Sequence, residues 1–386
     1  MITIAGQAQK PLYLYPVLIT CLFYLFTGAM LLQLGYAYWF FSHVFRLPVH
    51  KDVPEEALQP VSVIICARNE AANLRVHLPR ILEQHYPSFE VVVVNDASED
   101  DTLTVLEEFS AVYQHLRFIT ISRQTRRTLK GKKFALNAGV AAARFQSLLF
   151  TDADCVPASE QWIRLMVAPL SAGKEISLGY GGHIRGAGLL NAFVRWETIN
   201  TFLQYATYAL AGKPYMAVGR NLACVREAFM AAKDFRAWNK LPSGDDDLLM
   251  QAYATSSNTA VVADARSFTW SKAPETWGQW IRQKQRHVST GKYYKKEVMV
   301  LVGLYACIHA LVWLLFPVLM IVHDASVVIW LMAARCLIFW ALWMFAARRL
   351  GDRGLAGYTP LFDPGWMIYN FAVSPYVVWK NKQQWK

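Results

Sequence analysis

Two patterns of apolar spacing divide this chain. Between Lys10 and Arg46 there is no Asp, Glu, Lys or Arg, and LYPVLITCLFYLFTGAMLLQLGYAYWFF runs on without a charge. That exceeds the roughly 20 residues a helix needs to span a bilayer. A retained anchor is expected here in preference to a signal peptide, which has a shorter apolar core, a more basic start and a small-residue cleavage site. Two further blocks follow, VMVLVGLYACIHALVWLLFPVLMIV after Glu297 and SVVIWLMAARCLIFWALWMFAA after the short link His323-Asp324. They read as a transmembrane hairpin. A last stretch, PLFDPGWMIYNFAVSPYVVW, is interrupted by Asp363, Pro364 and Pro375 and reads as a re-entrant or interfacial piece.

From Pro60 the pattern changes. VSVIICA, FEVVVVND, LRFITIS and SLLFTDAD are short β-branched runs, each apolar almost throughout, as strands buried on both faces should be. Helical patterns separate them: EAANLRVHLPRILEQ, DDTLTVLEEFSAVY and KFALNAGVAAARF. This alternation predicts an α/β domain with a mostly parallel sheet and helices on both faces. Ligands of such sheets gather at the carboxyl ends of the strands. There the sequence puts Arg68, Asn69 and Glu70, then Asn95 and Asp96, then Asp152 and Asp154. A helix cap is the plainer reading for any one of them, and Ser98 with Asp101 fits one.

Composition and charge sharpen the picture. Hydrophobic residues make up 54% and charged residues 17%, too apolar for an ordinary soluble enzyme. Lys and Arg number 39 against 28 Asp and Glu, and with 14 Trp and 18 Tyr the excess fits an anionic bilayer surface. No basic tail or motif points to nucleic acid. The six cysteines, Cys21, Cys66, Cys155, Cys224, Cys307 and Cys336, lack metal spacing and read as reduced packing residues. Arg282, Lys284, Arg286, Lys292, Lys295 and Lys296 crowd the start of the hairpin, and Arg348, Arg349 and Arg353 its end. Both flanks should face the cytoplasm, and so should the middle region. Lys380, Lys382 and Lys386 favour the same side.

The candidate chemistry lies where SLLFTDADCVP ends an apolar run on Asp152 and Asp154. Carboxylates this close repel unless a cation or donor network holds them. No Gly-rich phosphate loop follows the first strand, no Ser sits in a nucleophile elbow, and the histidines lack ligand spacing. What remains is a phosphate-bearing ligand held by Mg²⁺ or Mn²⁺, ions that bridge carboxylates to substrate phosphates.

ICARNEAANL, VVVVNDASEDDT, GKKFALNAG, FTDADCVP, GRNLACVREAF, GDDDLLM and QKQRH occur in this order. Taken together they resemble the membrane-anchored family 2 glycosyltransferases, the group with cellulose, hyaluronan and poly-N-acetylglucosamine synthases and ceramide glucosyltransferases. The resemblance covers roughly residues 55 to 295. It implies a GT-A fold and inverting transfer of a sugar from a nucleotide donor. It also implies that Glu70 and Asp96 contact the nucleoside, a uridine, and that Lys132 faces the nucleotide, with Lys133 the second candidate. Asp152 would bind near the ribose and diphosphate, and Asp154 would be the metal ligand. Among Asp245, Asp246 and Asp247, the register of GDDDLL makes Asp246 the general base. Gln283 and Arg286 would match the block in which Arg binds the donor diphosphate, with His287 where polymer synthases carry Trp.

His287 offers less surface than Trp for stacking a sugar ring. Three confident spans are also few for a polymer channel, so the expected acceptor is a membrane lipid. A polysaccharide synthase with a growing polymer as acceptor is the alternative, and a scaffold without activity is a third reading. The expected organisation is an anchor at 1–48 and a cytoplasmic catalytic domain at 49–274. An interfacial helix follows at 275–296, then the hairpin at 297–348 and a re-entrant or interfacial segment at 349–386. Such a protein would sit in the inner or plasma membrane. GLLNAFVRWETINTFLQYATYALAG is expected to wall the acceptor entrance, with a core helix as the alternative. Arg335, in mid-span, is expected to pair with His309, a lipid headgroup or a partner subunit.

Overall fold

The structure, a computed structural model, describes residues 11–48, 53–129, 131–234, 238–241 and 244–377, with backbone alone at 11–15, 240, 376 and 377. Lys380, Lys382 and Lys386 lie outside the described residues. The chain opens on α1 (Pro11–Trp39), continued by a tight turn at Phe41–Arg46. Four strands follow where the β-branched runs predict them: β1 (Val61–Ala67), β2 (Phe89–Asp96), β3 (Leu116–Ile121) and β4 (Ser147–Asp152). Between them run α2 (Ala71–Leu82), α3 (Thr102–Val112) and α4 (Lys133–Ala142).

All four strands are mutually parallel in the order β3-β2-β1-β4. Because side chains alternate along a strand, each serves two cores. Val63, Ile65, Val91, Val93 and Leu149 pack on α2, α3 and α5 (Trp162–Ser171). Ile64, Cys66, Val92, Val94, Leu148 and Phe150 face α4 and the helices beyond it. A methyl group at Gly139 of α4 would sit 2.8 Å from Ile64 and 3.0 Å from Val94, so that glycine sets how closely the helix lies on the sheet.

Past β4 the sheet turns antiparallel, a feature the strand runs did not predict. After β5 (Cys155–Pro157), β6 (Ile176–Leu178) and β7 (Gly181–His183) comes the long helix α6 (Leu189–Leu210). Next are β8 (Leu222–Val225), α7 (Arg226–Asp234), α8 (Asp245–Tyr253), β9 (Thr259–Val261) and β10 (Thr269–Ser271). β8 pairs antiparallel with both β4 and β6, and β9 completes the seven-stranded sheet. A small sheet, β5-β10-β7, closes the far side of the carboxyl edge.

The chain then forms α9 (Trp277–Val288), α10 (Lys296–Val322), α11 (Ala325–Arg349) and α12 (Thr359–Val373). Among the described residues, three helical stretches are long and apolar enough to cross a membrane: Pro16–Arg46, Lys296–Val322 and Ala325–Arg349. At 15 residues α12 is shorter than a span requires. Its Asp363 enters the bundle, where it pairs with Arg335 and accepts hydrogen bonds from His309 at 2.8 Å and Trp340 at 2.9 Å. Arg335 Nε donates to Gln33 of α1 at 3.0 Å. The expected partners of Arg335 are corrected accordingly: its acid is Asp363, and His309 reaches that acid from the other side. Four helices thus share one buried charge pair.

The helix expected to wall an acceptor entrance, α6, is a core helix with most of its length buried. It is also the shared post of the molecule. Arg195 pairs with Asp352, which follows α11, Glu197 pairs with Lys284 of α9, and Trp196 stacks on Trp343 of α11 at 5.6 Å. The Asp363→Ala variant leaves the Arg335 charge buried without its acid. In detergent it is expected to lose about 3–5 kcal/mol of stability, read as a lower thermal midpoint. Replacing both by Leu is expected to restore most of that loss, whereas equal loss in both variants would show that packing, not charge, holds the cluster.

Candidate active site

The βα loops after β1 and β2 are stitched together before any ligand is considered. Asn69 and Ala97, just beyond the two strands, both take the left-handed conformation (φ 56° each), which turns the chain sharply. The Asn69 amide donates to Ser98 Oγ at 3.0 Å, and the Glu99 amide donates to Asn69 Oδ1 at 2.8 Å. Ser98 is therefore no helix cap. Its hydroxyl serves the neighbouring loop, and the Thr102 amide that opens α3 bonds to Asp100 at 3.1 Å. Glu70 precedes α2, and its carboxylate accepts from Asn73 at 2.6 Å.

Strand register then brings the acids to one rim. Cys66 of β1 lies beside Asp152 of β4, and Ala67 lies beside Asn95 of β2. The buried Cys66 thiol reports what surrounds it. Burial pushes its pKa up to about 12; Lys132 opposes this, while Asp245, Asp152 and Asp96 add to it. Acids from three separate segments therefore act on one atom.

Asp152 pairs with Lys132, the residue before α4. Burial works against the Asp152 carboxylate, but Lys132, Arg220 and Arg286 hold its pKa below the usual value. Asp154 goes the other way: burial and the adjacent Asp152 charge raise it. The ligand atoms of Asp152, Asp154 and Cys155 lie within 4.8 Å of one another. Burial and the two carboxylates keep the Cys155 thiol protonated, and its sulfur donates to Asp154 at 3.6 Å. The oxygen donors suited to a hard divalent ion are thus Asp152 and Asp154. Lys133, the second lysine, points away and donates to the Trp238 carbonyl at 3.1 Å.

The GDDDLL acids occupy the first turn of α8, where the helix dipole favours negative charge. Asp246 accepts from the Gly219 amide at 2.8 Å and from the Asp247 amide at 2.9 Å. Burial first, then Asp247 and Asp245, raise its pKa well above the usual carboxylate range. Asp247 is buried and accepts from Thr290 at 2.5 Å and Tyr294 at 2.8 Å, which makes it a structural tie to the segment after α9. Gly244 ahead of them has φ 80°, and a Cβ there would collide with the Thr290 methyl group. Only glycine lets the acidic turn approach Thr290 so closely.

A capping box of Thr276 and Gln279 starts α9. Its Gln283 and Arg286 side chains have no hydrogen-bond partner among the described residues, and Arg286 acts on Asp152. Solvent reaches part of His287, yet the protein packed around its ring, and then Lys284, Arg286 and Arg220, lower its pKa well below the usual value.

Two residues of the site went unread in the sequence. Arg220 lies within the GRNLACVREAF block, yet its place depends on the antiparallel strand β8. Thr151 and Thr269 fix its backbone carbonyl at 3.0 and 3.1 Å, and its guanidinium donates to Gly181 O at 2.5 Å. The other is Arg127. It holds both carboxylate oxygens of the fully buried Asp96, at 2.6 and 3.0 Å. Asp96 is thus already paired with protein, where the resemblance implied contact with a nucleoside.

Sequence profiles match this arrangement: one described as glycosyl transferase family 2 covers residues 62–229, and one described as glycosyl transferase family group 2 covers 186–349. The chain belongs to glycosyltransferase family 2. It is 28% identical over 244 residues to the probable glycosyltransferase YdaM of Bacillus subtilis, which is 61% of this chain and 56% of that protein. Over 126 residues it is 34% identical to glycosyltransferase AglE of Haloferax volcanii, 32% of this chain and 39% of AglE. The poly-beta-1,6-N-acetyl-D-glucosamine synthase of Staphylococcus aureus is 26% identical over 124 residues, 32% of this chain and 29% of the synthase. This family 2 member therefore spans about half or less of the length of these relatives. In fold it is similar to the mannosyltransferase PcManGT from Pyrobaculum calidifontis, solved with GDP-Man and Mn²⁺. That likeness covers 90% of this chain and 99% of the other at 17% identity, with a TM-score of 0.54. The fold is of the GT-A type.

Asp247 gives the site a pH signature. Burial pushes its pKa from 3.8 to about 6 against the hydrogen bonds from Thr290 and Tyr294. The folded form is then the better proton binder, so this contribution to stability is full below pH 3.8 and lost as pH rises through about 6. Asp247→Asn is expected to remove that loss, so the wild-type thermal midpoint should fall relative to the variant's across this window. Parallel midpoint curves would contradict the assignment.

Proposed function

We propose that this protein is an inverting glycosyltransferase that moves a sugar from a nucleoside diphosphate donor, UDP in the first instance, to a membrane lipid. One observation carries the reading. The Gly219-Arg220 backbone joins the two acidic rims, its Gly219 amide bonded to Asp246 at 2.8 Å and its Arg220 carbonyl to Thr151, beside the Lys132-paired Asp152, at 3.0 Å. Acids facing cations across one cleft suit a reaction in which negative charge leaves on one side and a proton leaves on the other.

In this reading Arg286, Arg220 and Lys132 hold the donor diphosphate, and Gln283 and His287 border it. Glu70 and Asp96 form the nucleoside end, which requires Arg127 to share or release Asp96. Asp246, aimed by the Gly219 and Asp247 amides, accepts the proton of the acceptor hydroxyl. That oxygen forms the new bond to the anomeric carbon as the bond to diphosphate breaks, and the nucleoside diphosphate departs with the electron pair. Positioned proton transfer of this kind is typically worth about 10²–10⁴-fold. Asp245 supports the negative field that keeps Lys132 charged. Mg²⁺ or Mn²⁺ fits Asp154, because a cation there relieves the repulsion that raises its pKa. When bound, it neutralises charge developing on the leaving diphosphate.

The lipid acceptor is favoured because two of the long apolar stretches, Pro16–Arg46 and α11, pack on α6 through Phe40–Tyr208 and Trp343–Trp196, and Trp277 at the start of α9 is exposed. Basic residues around α9 and at the end of α11 support a reading in which the catalytic domain, residues 49–274, faces the cytoplasmic side of an inner or plasma membrane, with 1–48 as anchor and 297–348 as hairpin. Residues 275–296 and 349–386 then lie at the interface or re-enter the bundle. The second reading, a polysaccharide synthase, rests on the likeness to the S. aureus synthase.

Membranes holding the protein, incubated with a panel of labelled nucleotide sugars and a divalent salt, are expected to move label into the organic-extractable fraction. A chelator or Asp154→Ala should reduce this by about 10²-fold or more. Label in high-molecular-weight, water-soluble material would select the polymer reading. Failure to turn over any nucleotide sugar would refute both.

A further inference from the structure

The C-terminal end of α11 carries a cavity unrelated to the residues of the cleft. It has a volume of about 330 Å³ and is lined by Met344, Arg348, Arg353 and Ala356. That is within the lower range of small-ligand sites, roughly 300–1,000 Å³. Arg348 and Arg353 are exposed, and neither guanidinium has a hydrogen-bond or ion-pair partner among the described residues. The acid beside them, Asp352, is committed to Arg195, and the neighbouring Arg349 donates to the Leu47 carbonyl. Two unpaired guanidiniums in one concavity repel each other, and an anion between them removes that cost.

What leads to the cavity says which anion. Along α11, Trp330, Ala334, Leu337, Ala341, Met344 and Arg348 recur every three or four residues and so share one face. That face is open: Trp330 is 75% and Leu337 71% exposed, and Ala334 and Ala341 are exposed as well. An outward apolar stripe on a membrane-length helix thus ends at a basic pocket. Apolar chain below and anionic head above is the shape of one lipid molecule.

We propose that this cavity binds the phosphate headgroup of an anionic membrane lipid, held between Arg348 and Arg353 with its acyl chains along the α11 stripe. The assignment rests on α11 lying in a membrane and is independent of the sugar-transfer chemistry. It differs from a diffuse basic belt because two named side chains and a cavity define it.

The test uses the full chain in phosphatidylcholine nanodiscs with a minor share of phosphatidylglycerol, and reads the lipid retained per protein by native mass spectrometry. Wild type is expected to retain phosphatidylglycerol selectively, and Arg348→Gln with Arg353→Gln to lower that retention about tenfold. The pair Lys295→Gln and Lys296→Gln removes equal charge at the start of α10, outside the cavity, and is expected to leave retention near the wild-type level. Thermal midpoints in pure phosphatidylcholine confirm that each variant is folded. If the arginine and lysine pairs reduce retention equally, only surface charge is at work and the pocket proposal fails. It fails too if the arginine pair retains lipid as wild type does, or if millimolar inorganic phosphate displaces the phosphatidylglycerol.

Discussion

The ion pair between Lys132 and Asp152 sets the terms on which the two acids of the strand end are held. Asp152 ends a strand whose neighbours are fixed by register to β1 and β8, so it cannot retreat from the rim. With Lys132 committed to it, Asp154 is left to carry the repulsion, and its raised pKa records that. Across the cleft the same problem is met by other means. Asp247 is tied by two hydroxyls and Asp246 by two backbone amides, so three successive acids fit in one helical turn. A buried charge is tolerated only when paired or hydrogen-bonded. At the strand end Lys132 holds Asp152, while Asp154 has only the weak Cys155 thiol and is the acid best placed for an added cation.

A related set of ion pairs couples the cleft to the long apolar helices. α6 passes from the catalytic core to the base of the bundle and meets its neighbours through two of them, Arg195–Asp352 and Glu197–Lys284. Lys284 lies on α9 between Gln283 and Arg286. The side chains proposed to grip the diphosphate therefore ride on a helix pinned to the same post as α11. Thr290 and Tyr294, just beyond α9, reach back to Asp247. The proposed donor grip, the proposed base and the long apolar helices form one connected structure, which suits the proposed acceptor, one that arrives from the bilayer and not from solvent.

Much of this was legible from spacing. The four parallel strands and their intervening helices form within a few residues of the apolar runs that predicted them, because continuous β-branched segments can only be buried on both faces. The strand-end acids converge for the same reason. What could not be read were the partners. β6, β8 and β9 are three or four residues each and lack a distinctive period, so the antiparallel half and the position of Arg220 stayed hidden. Arg127 meets Asp96 from a loop, where no periodicity operates. Arg335 required a partner, and the sequence suggested His309 across the hairpin, a lipid headgroup or a partner subunit. The true partner, Asp363, arrives on a short helix that folds back into the bundle after a glycine-containing turn at 351–358, where no periodicity operates.

The central claim is that Asp246 takes the acceptor's proton while the opposite rim holds the donor. Isothermal titration of the donor nucleotide against Asp246→Asn, paired with single-turnover transfer by the same protein, tests it most directly. The account predicts a donor Kd within about threefold of wild type and transfer slower by about 10²-fold or more. Transfer at near wild-type rate, or loss of donor binding in step with transfer, would contradict it.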